Sequence, residues 1–402
     1  MRTVVGGCVL ALGLVLPAGA ASQQRLTVYS SVPLVGVAKP QAQAIVRGAT
    51  LAWEDHGKRA AGLPVRYVSL SDATRQAGTW TPERTWLNAR RAAQDRTTIA
   101  YIGEYNSSAS TISIPILNEA GIAQISPSNQ AVGLTRSGPA ADRGEPEKYY
   151  PTGRRHYVRV IPNDRIQGGA LAQAMRESGC RRIAAFDDGE VYGAGLGTLV
   201  RRHTDRTGLR TVAQLRISRR SDFGALARAV AGRRPDCTVF TGITANGAVR
   251  LFEALGRELP RAKLFGGDGI AEAGFTDPRF GGIPGRLGRR VFLTLATLAP
   301  SEFSTQARQL LGRYRERFRA PADPYALYGY EAMDLALDAA DAVGPDKTAV
   351  IRWLLGSVKD RDSLLGRYSI DRFGDTTARR YGLYRPRSGR LYWARTLRAP
   401  AR

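Results

Sequence analysis

The sequence predicts an α/β protein built as two doubly wound parallel-sheet lobes joined by a multi-strand hinge. Strand and helix signals alternate from Leu26 to about Leu298, the pattern of parallel sheets covered by helices. A polar stretch rich in Gly and Pro, residues 136–155, interrupts the alternation and divides it into two series. The length, 402 residues, suits two or three domains or two lobes of one fold.

Residues 1–20 read as a cleavable export signal. Arg2 supplies the positive end, residues 4–16 the apolar run, and Ala18-Gly19-Ala20 a small-residue cleavage site. The run is about 13 residues long, short of the ~20 that span a bilayer. Cys8 lies inside it, followed by Val9-Leu10, rather than at the end of a lipobox. The mature chain is therefore expected in the periplasm or another extracytoplasmic space.

The first series begins with a strand at 26–30. A helix follows from Pro40, with Ala42, Ile45, Val46, Ala49, Ala52 and Trp53 at helical spacing. Strands at 65–70, 98–103 and 122–126 alternate with helices at 83–95 and 108–120. The second series runs through strands at 157–160, 182–187, 211–217, 237–242 and 263–266, with helices at 166–178, 193–207, 223–231 and 248–256. The last third changes character: helices at 302–318, 325–342 and 347–355, then short strands at 366–370, 380–384 and 390–394. Crossovers are expected near 155–160, 285–292 and 360–367. Lobe one would take residues 25–157 plus 292–362, and lobe two 158–291 plus 363–402.

Cys180 and Cys237 each precede a strand of the second series. These are its first and third strands, neighbours in a sheet of order 2-1-3. A bridge would close a loop of 57 residues, worth roughly 4 kcal/mol on the chain-entropy account; two buried thiols are the alternative.

The formal charge is +24, from 59 Lys plus Arg against 35 Asp plus Glu, and only six of the 59 are lysines. Such a balance suits an anionic partner, but the arginines are spread as doublets such as Arg90–Arg91 and Arg219–Arg220. With no long basic run and no aromatic-interleaved stripe, nucleic acid is not an expected partner. A genome-wide codon bias toward arginine is the alternative reading of the composition.

Catalytic signatures are missing. There is no P-loop, no G-x-S-x-G elbow and no H-E-x-x-H. Gly193-Ala194-Gly195-Leu196-Gly197 departs from a dinucleotide fingerprint and reads as a helix start. Three cysteines and three histidines leave little for a metal cluster. His56, His156 and His203 read as surface or internally satisfied residues, and residues 371–375 as a turn rather than a calcium loop. No metal or cofactor is expected, and the chain is read as no enzyme.

Four segments carry a family likeness: Gly103-Glu104-Tyr105-Asn106-Ser107-Ser108, Ile125-Ser126-Pro127-Ser128-Asn129-Gln130, Asp187-Asp188-Gly189-Glu190-Val191-Tyr192-Gly193, and Gly266-Gly267-Asp268-Gly269. In this order they resemble the type I periplasmic binding proteins of the branched-chain amino acid (Leu/Ile/Val-binding) family, which serve ABC importers. The tail from Gly366-Arg367-Tyr368 through Gly374-Asp375-Thr376-Thr377 is similar to the same family.

Ser107 opens a helix, whose free N–H groups suit a carboxylate; the resemblance implies that it holds that group of a ligand. The loop with Ser128, Asn129 and Gln130 would sit beside it at the carboxyl edge of the sheet. Gln130 stands where the family has threonine, and its amide reaches further. Tyr192 would close over the ligand, and Asp268 matches the acidic residue that pairs with an α-ammonium. Thr244 is a further candidate near the rim, while Tyr328 and Tyr330 line the hinge or pack in the core. The resemblance implies an exported, monomeric substrate-binding protein that captures a small amino-acid-like solute and delivers it to an ABC permease in the membrane. An amide, urea or small organic acid is the alternative solute. A sensor for a signalling partner is the alternative role.

Overall fold

The first strand, β1 (Leu26–Val32), is buried at every residue, as a central parallel strand covered on both faces must be. The computed structural model describes residues 25–398; the export signal expected at 1–20, with Arg2 and Cys8, lies outside the described residues. From β1 the chain runs through α1 (Lys39–Asp55), β2 (Leu63–Ser71), α2 (Pro82–Gln94), β3 (Thr98–Gly103), α3 (Ser107–Glu119), β4 (Ala123–Ser126) and β5 (Tyr157–Arg159). The numbered strands pair in parallel in the order β2-β1-β3-β4-β5, with the two-residue Arg59–Ala60 on the outer edge. Local chemistry starts the helices where it should. Pro40 stands in the first turn of α1, and Thr81 caps α2 by accepting from the Arg84 amide.

A second sheet continues the chain through α4 (Asp164–Glu177), β6 (Arg182–Asp187), α5 (Val191–Arg206), β7 (Arg210–Arg216), α6 (Phe223–Ala231), β8 (Cys237–Thr241), α7 (Ala248–Glu258), β9 (Lys263–Gly266) and β10 (Val291–Leu295). Three helices follow, α8 (Thr305–Phe318), α9 (Tyr325–Val343) and α10 (Lys347–Gly356), then the antiparallel strands β11 (Arg380–Arg387) and β12 (Arg390–Arg398). The order is β7-β6-β8-β9-β10-β11-β12. Both sheets are parallel at their centre, which gives the α/β doubly wound class predicted from the alternation.

Three local expectations change. The strand expected to open the second series, at 157–160, is β5 and pairs with β4 at the edge of the first sheet, so lobe one extends past 157. Residues 291–295 pair with β9 and β11 in the second sheet, so the chain leaves that sheet after Leu295 rather than within 285–292. Residues 366–370 form no strand, only the isolated bridges Arg361↔Tyr368 and Ile370↔Thr376. The segment spans the return to the second sheet, where no ladder partner lies alongside it.

Helix α9 returns to the first sheet and lies against α1 at backbone contact. A Cβ on Gly48 would stand 1.9 Å from the Ala326 carbonyl oxygen, and one on Gly329 2.0 Å from that of Ile45. His56, closing α1, reaches Asp334 of α9 at 2.9 Å. Arg361 gathers the same acidic face, contacting Glu331 and Asp338 at 2.7 Å each and also Asp334. The Asp334 hydrogen bond raises the His56 pKa above its ordinary value of 6.5, against the opposing effect of burial.

Cys180 and Cys237 are joined as a disulfide, Cα–Cα 5.8 Å, at the start of adjacent strands β6 and β8. Asp236 fastens the same edge by accepting from the Arg181 and Arg182 amides. Among the described residues no helix is long and apolar enough to cross a membrane.

Replacing both cysteines by serine should lower stability by roughly 2–4 kcal/mol in urea unfolding. Non-reducing peptide mapping of the wild type should recover the Cys180–Cys237 pair, and free thiols would contradict it. The His56 contribution has the opposite pH sense from a carboxylate's. With a raised folded pKa it is complete below the ordinary histidine value and lost as pH rises through the raised one. Wild type should therefore exceed His56→Gln in stability at pH 5.5, and the two should converge by pH 9.

Candidate functional site

Strand β3 ends at Gly103 and α3 begins at Ser107, so residues 104–106 turn at the carboxyl edge of the first sheet. Asn106 holds the N-cap position of α3 yet makes no capping bond, and its buried Oδ1 has no hydrogen-bond partner. The Ser107 hydroxyl accepts from the Ala131 amide at 3.3 Å. After β4, the loop 127–131 returns beside this turn, where Ser128 donates to the Tyr105 carbonyl at 2.9 Å. From the second sheet come Tyr192, in the first turn of α5, and Asp268, in the short turn Asp268–Ile270 after β9.

Ser107, Ser128, Gln130, Tyr192 and Asp268 line one cavity of about 40 Å³, completed by Tyr105, Asn106, Glu190, Ile243, Gly269 and Tyr325. Asp268 is its focus. One carboxylate oxygen accepts from the Tyr192 hydroxyl at 2.7 Å and the Gln167 amide at 3.1 Å. The other accepts from the Gln130 amide and lies 3.4 Å from the Tyr325 hydroxyl. Gln130 is itself oriented by Tyr381, which donates to its carbonyl at 2.6 Å. Burial pushes Asp268 up to about 6, opposed by bonds from Tyr192 and Gln167.

The surroundings are acidic. Burial pushes Glu272 up to about 7 and Asp323 up to about 6. It also raises Tyr105, which the charges of Glu272, Asp268 and Asp323 raise further. Asp164, buried with both carboxyl oxygens unpartnered, is pushed well up by burial and then by the charge of Asp268. Among the described residues no lysine or arginine lines the cavity. Neutral donors surround Asp268, so a cationic ligand group would complete its charge balance. The N-terminus of α3 offers the opposite polarity to an anionic group.

Two expected ligand residues stand elsewhere. Asn129 is fully buried beneath the loop, its amide donating to the Tyr105 carbonyl at 3.0 Å and accepting from Ser110 and Tyr157. One step along a tight loop turns it away from the cavity that its neighbours face. Thr244 sits behind the Asp268 turn, 3.4 Å from the Gly269 carbonyl, while Ile243 takes the lining position. Tyr328 donates to the Ala296 carbonyl and Tyr330 to Asp55. The aromatic of α9 that reaches the cavity is Tyr325, one turn before Tyr328 on the same face, and that spacing was its signal. Asn106 lies in the motif segment 103–108, whereas no motif marks Gln167.

Behind the cavity, Arg159 is buried at 0% exposure. It donates to the Asn129 and Ala131 carbonyls at 3.1 and 2.9 Å, and so holds the loop that carries Ser128 and Gln130. Its counter-ion is Asp375, at 2.8 Å, which also receives Arg136 at 2.6 Å. Burial opposes ionisation of Asp375, but Arg159 and bonds from Arg136 and Thr135 hold its carboxyl below the usual range.

Among the described residues two groupings of His, Cys and carboxylate side chains stand close together, and each is already engaged. In the first, Asp334 and Asp338 are already paired with Arg361 and His56 is bonded to Asp334; in the second, beside Asp236, the two cysteines are disulfide-bonded.

This architecture brings loops at the carboxyl edges of two doubly wound sheets together at one cavity, the layout of a two-sheet α/β class. The profile of the periplasmic binding protein family matches residues 30–390, and the chain belongs to that family. It is 23% identical over 364 residues to a protein of Pseudomonas aeruginosa named as an amino acid binding protein, covering 87% of this chain and 89% of that one. The leucine binding protein LivK of Thermotoga maritima is similar in fold, with a TM-score of 0.75 at 19% identity, covering 93% of this chain and 99% of that one. A solute binding protein of an ABC transporter from Rhodopseudomonas palustris, solved with p-hydroxybenzoic acid, gives 0.74 at 18% identity, covering 93% and 97%.

Asp375→Ala would leave the Arg159 charge buried without its partner. It should destabilise the protein by ~3–5 kcal/mol in urea unfolding, with much of the loss recovered in Arg159→Met/Asp375→Ala. A single variant as stable as wild type would remove Arg159 from its anchoring role.

Proposed function

We propose that the protein is an exported substrate-binding component of an ABC importer, without catalytic activity, that captures a small amino-acid-like solute and presents it to a membrane permease. The observation that carries this reading is Asp268: a buried carboxylate, surrounded by neutral donors from both sheets, at a cavity without a cationic side chain. An α-ammonium would sit against Asp268. The matching carboxylate would take the N-terminus of α3 with Ser107, and Ser128 and Tyr192 would frame the two groups. The name of the Pseudomonas aeruginosa relative supports the same solute class. Lobes carrying the two sheets would close on the ligand by bending at three crossovers, and residues 1–20 would be removed on export.

A small aromatic acid is the second reading. It is favoured by Gln130, a neutral amide at the cavity wall that donates to Asp268, and by the fold shared with the p-hydroxybenzoic acid-binding protein. The acidic surroundings weigh against it, because a lone carboxylate ligand would meet Asp268 and Glu190 with no cation to offset them.

Isothermal titration of residues 21–402 with L-leucine and other amino acids, acetamide, urea and 4-hydroxybenzoate distinguishes the readings. An amino acid should bind, and Asp268→Ala should weaken it by ~2–5 kcal/mol. Protonating Asp268 removes the charge that an ammonium needs, so affinity should fall as pH drops through about 6. Binding of 4-hydroxybenzoate alone, indifferent to Asp268→Ala, would overturn the amino acid reading.

A further inference from the structure

A second, larger cavity of about 640 Å³ lies outside the Asp268 site. Its wall is formed by residues 132–140, the first turn of α4, the last turns of α5 and the returning segment 371–379. It therefore draws on the stretch that follows the Gln130 loop and on helices of the second sheet. Arg136, Arg165, Arg202, His203 and Arg206 all face it.

Its only acidic lining residues among the described ones, Asp371 and Asp375, are already engaged by Arg136, and Asp375 by Arg159 as well. Arg165, Arg202 and Arg206 are exposed and form no ion pair with another described residue. The placement of Arg202 and Arg206 near the carboxyl end of α5 is favourable in itself, since the helix dipole is negative there. Arg165 is different. It stands in the first turn of α4, at the positive end of the helix dipole, which disfavours a cation. The half-buried His203 records that field: burial lowers its pKa, and the charges of Arg206 and Arg202 lower it further.

We propose that this groove is a second binding site, for a small soluble anion bearing two or more negative charges on carboxylate or phosphate oxygens. Guanidinium groups pair with such oxygens in bidentate fashion, and Arg165, Arg202 and Arg206 supply them from two helices. The anion would join α5, whose first turn carries Tyr192, to the stretch that continues from Gln130. Occupancy of the groove would then strengthen binding in the Asp268 cavity, and by linkage the reverse would hold.

The test uses citrate and inorganic phosphate on the mature protein, with ionic strength held constant by sodium chloride. Titration calorimetry and thermal unfolding should show saturable citrate binding and a raised midpoint. In Arg202→Glu/Arg206→Glu the citrate affinity should fall by about tenfold or more, with an unchanged circular dichroism spectrum as the control for folding. Asp268→Ala should retain citrate binding, so failure of the amino acid reading would leave this site standing. Equal citrate affinity in the wild type and the double variant would overturn the proposal. So would a citrate response no larger than that of chloride at the same ionic strength.

Discussion

The arrangement of the cleft depends on removing the Asp268 carboxylate from water. A buried charge is costly unless hydrogen bonds or an opposite charge compensate it. Here the compensation is shared: Gln130 and Tyr325 come from elements packed with the first sheet, Gln167 and Tyr192 from helices of the second. Each half supplies only part of the coordination. The donors are satisfied together only where the carboxyl edges of both sheets meet, so one side chain couples the position of four elements. Because the donors are neutral, they orient the carboxylate without cancelling its charge, and its attraction for a cation is preserved.

Such a site needs a rigid backing, which the Arg159–Asp375 pair provides. Arg159 spends its guanidinium on two carbonyls of the loop bearing Ser128 and Gln130, and its charge on a residue of the segment returning to the second sheet. A buried ion pair contributes little net stability against an apolar replacement, yet breaking it is expensive. Its value is positional, because it fixes a loop whose amide must point at Asp268. The close contact of α1 with α9 plays a similar part for Tyr325: glycine at 48 and 329 lets the two backbones meet.

Charge is unevenly distributed in this molecule. The net +24 is an arginine excess, much of it exposed, while buried carboxyls cluster around the cavity: Asp164, Asp268 and Glu272, with Asp323 half-buried beside them. Desolvation favours the neutral form of each, so the interior carries less negative charge than the formula suggests. An acidic cleft beneath a basic surface suits a zwitterion better than a simple anion. The same contrast leaves the arginine-lined groove as a separate place for anions.

Much of the fold was legible because it rests on local signals. Apolar periodicity marked β1 and α1, and the Gly-Gly-Asp-Gly turn and the Ser107 helix start pointed to the edges where strands end. Sequence order also placed β6 beside β8, and with them the two cysteines. Val291–Leu295 is a plain apolar run, but its membership of the second sheet is decided only by β9 and β11, which flank it. The same limit applies within the cavity. Asn129 and Ser128 are equivalent polar neighbours in sequence, and the twist of one loop sends one inward and the other to the cavity. Gln167 carries no motif, since its role arises from long-range packing around Asp268. The sequence by itself determined the layers, the pairing of β6 with β8 and the chemistry available at the sheet edges, because these follow from periodicity and local turn propensity. The tertiary structure alone decided which side chains converge on the buried carboxylate, because convergence depends on contacts between residues far apart in the chain.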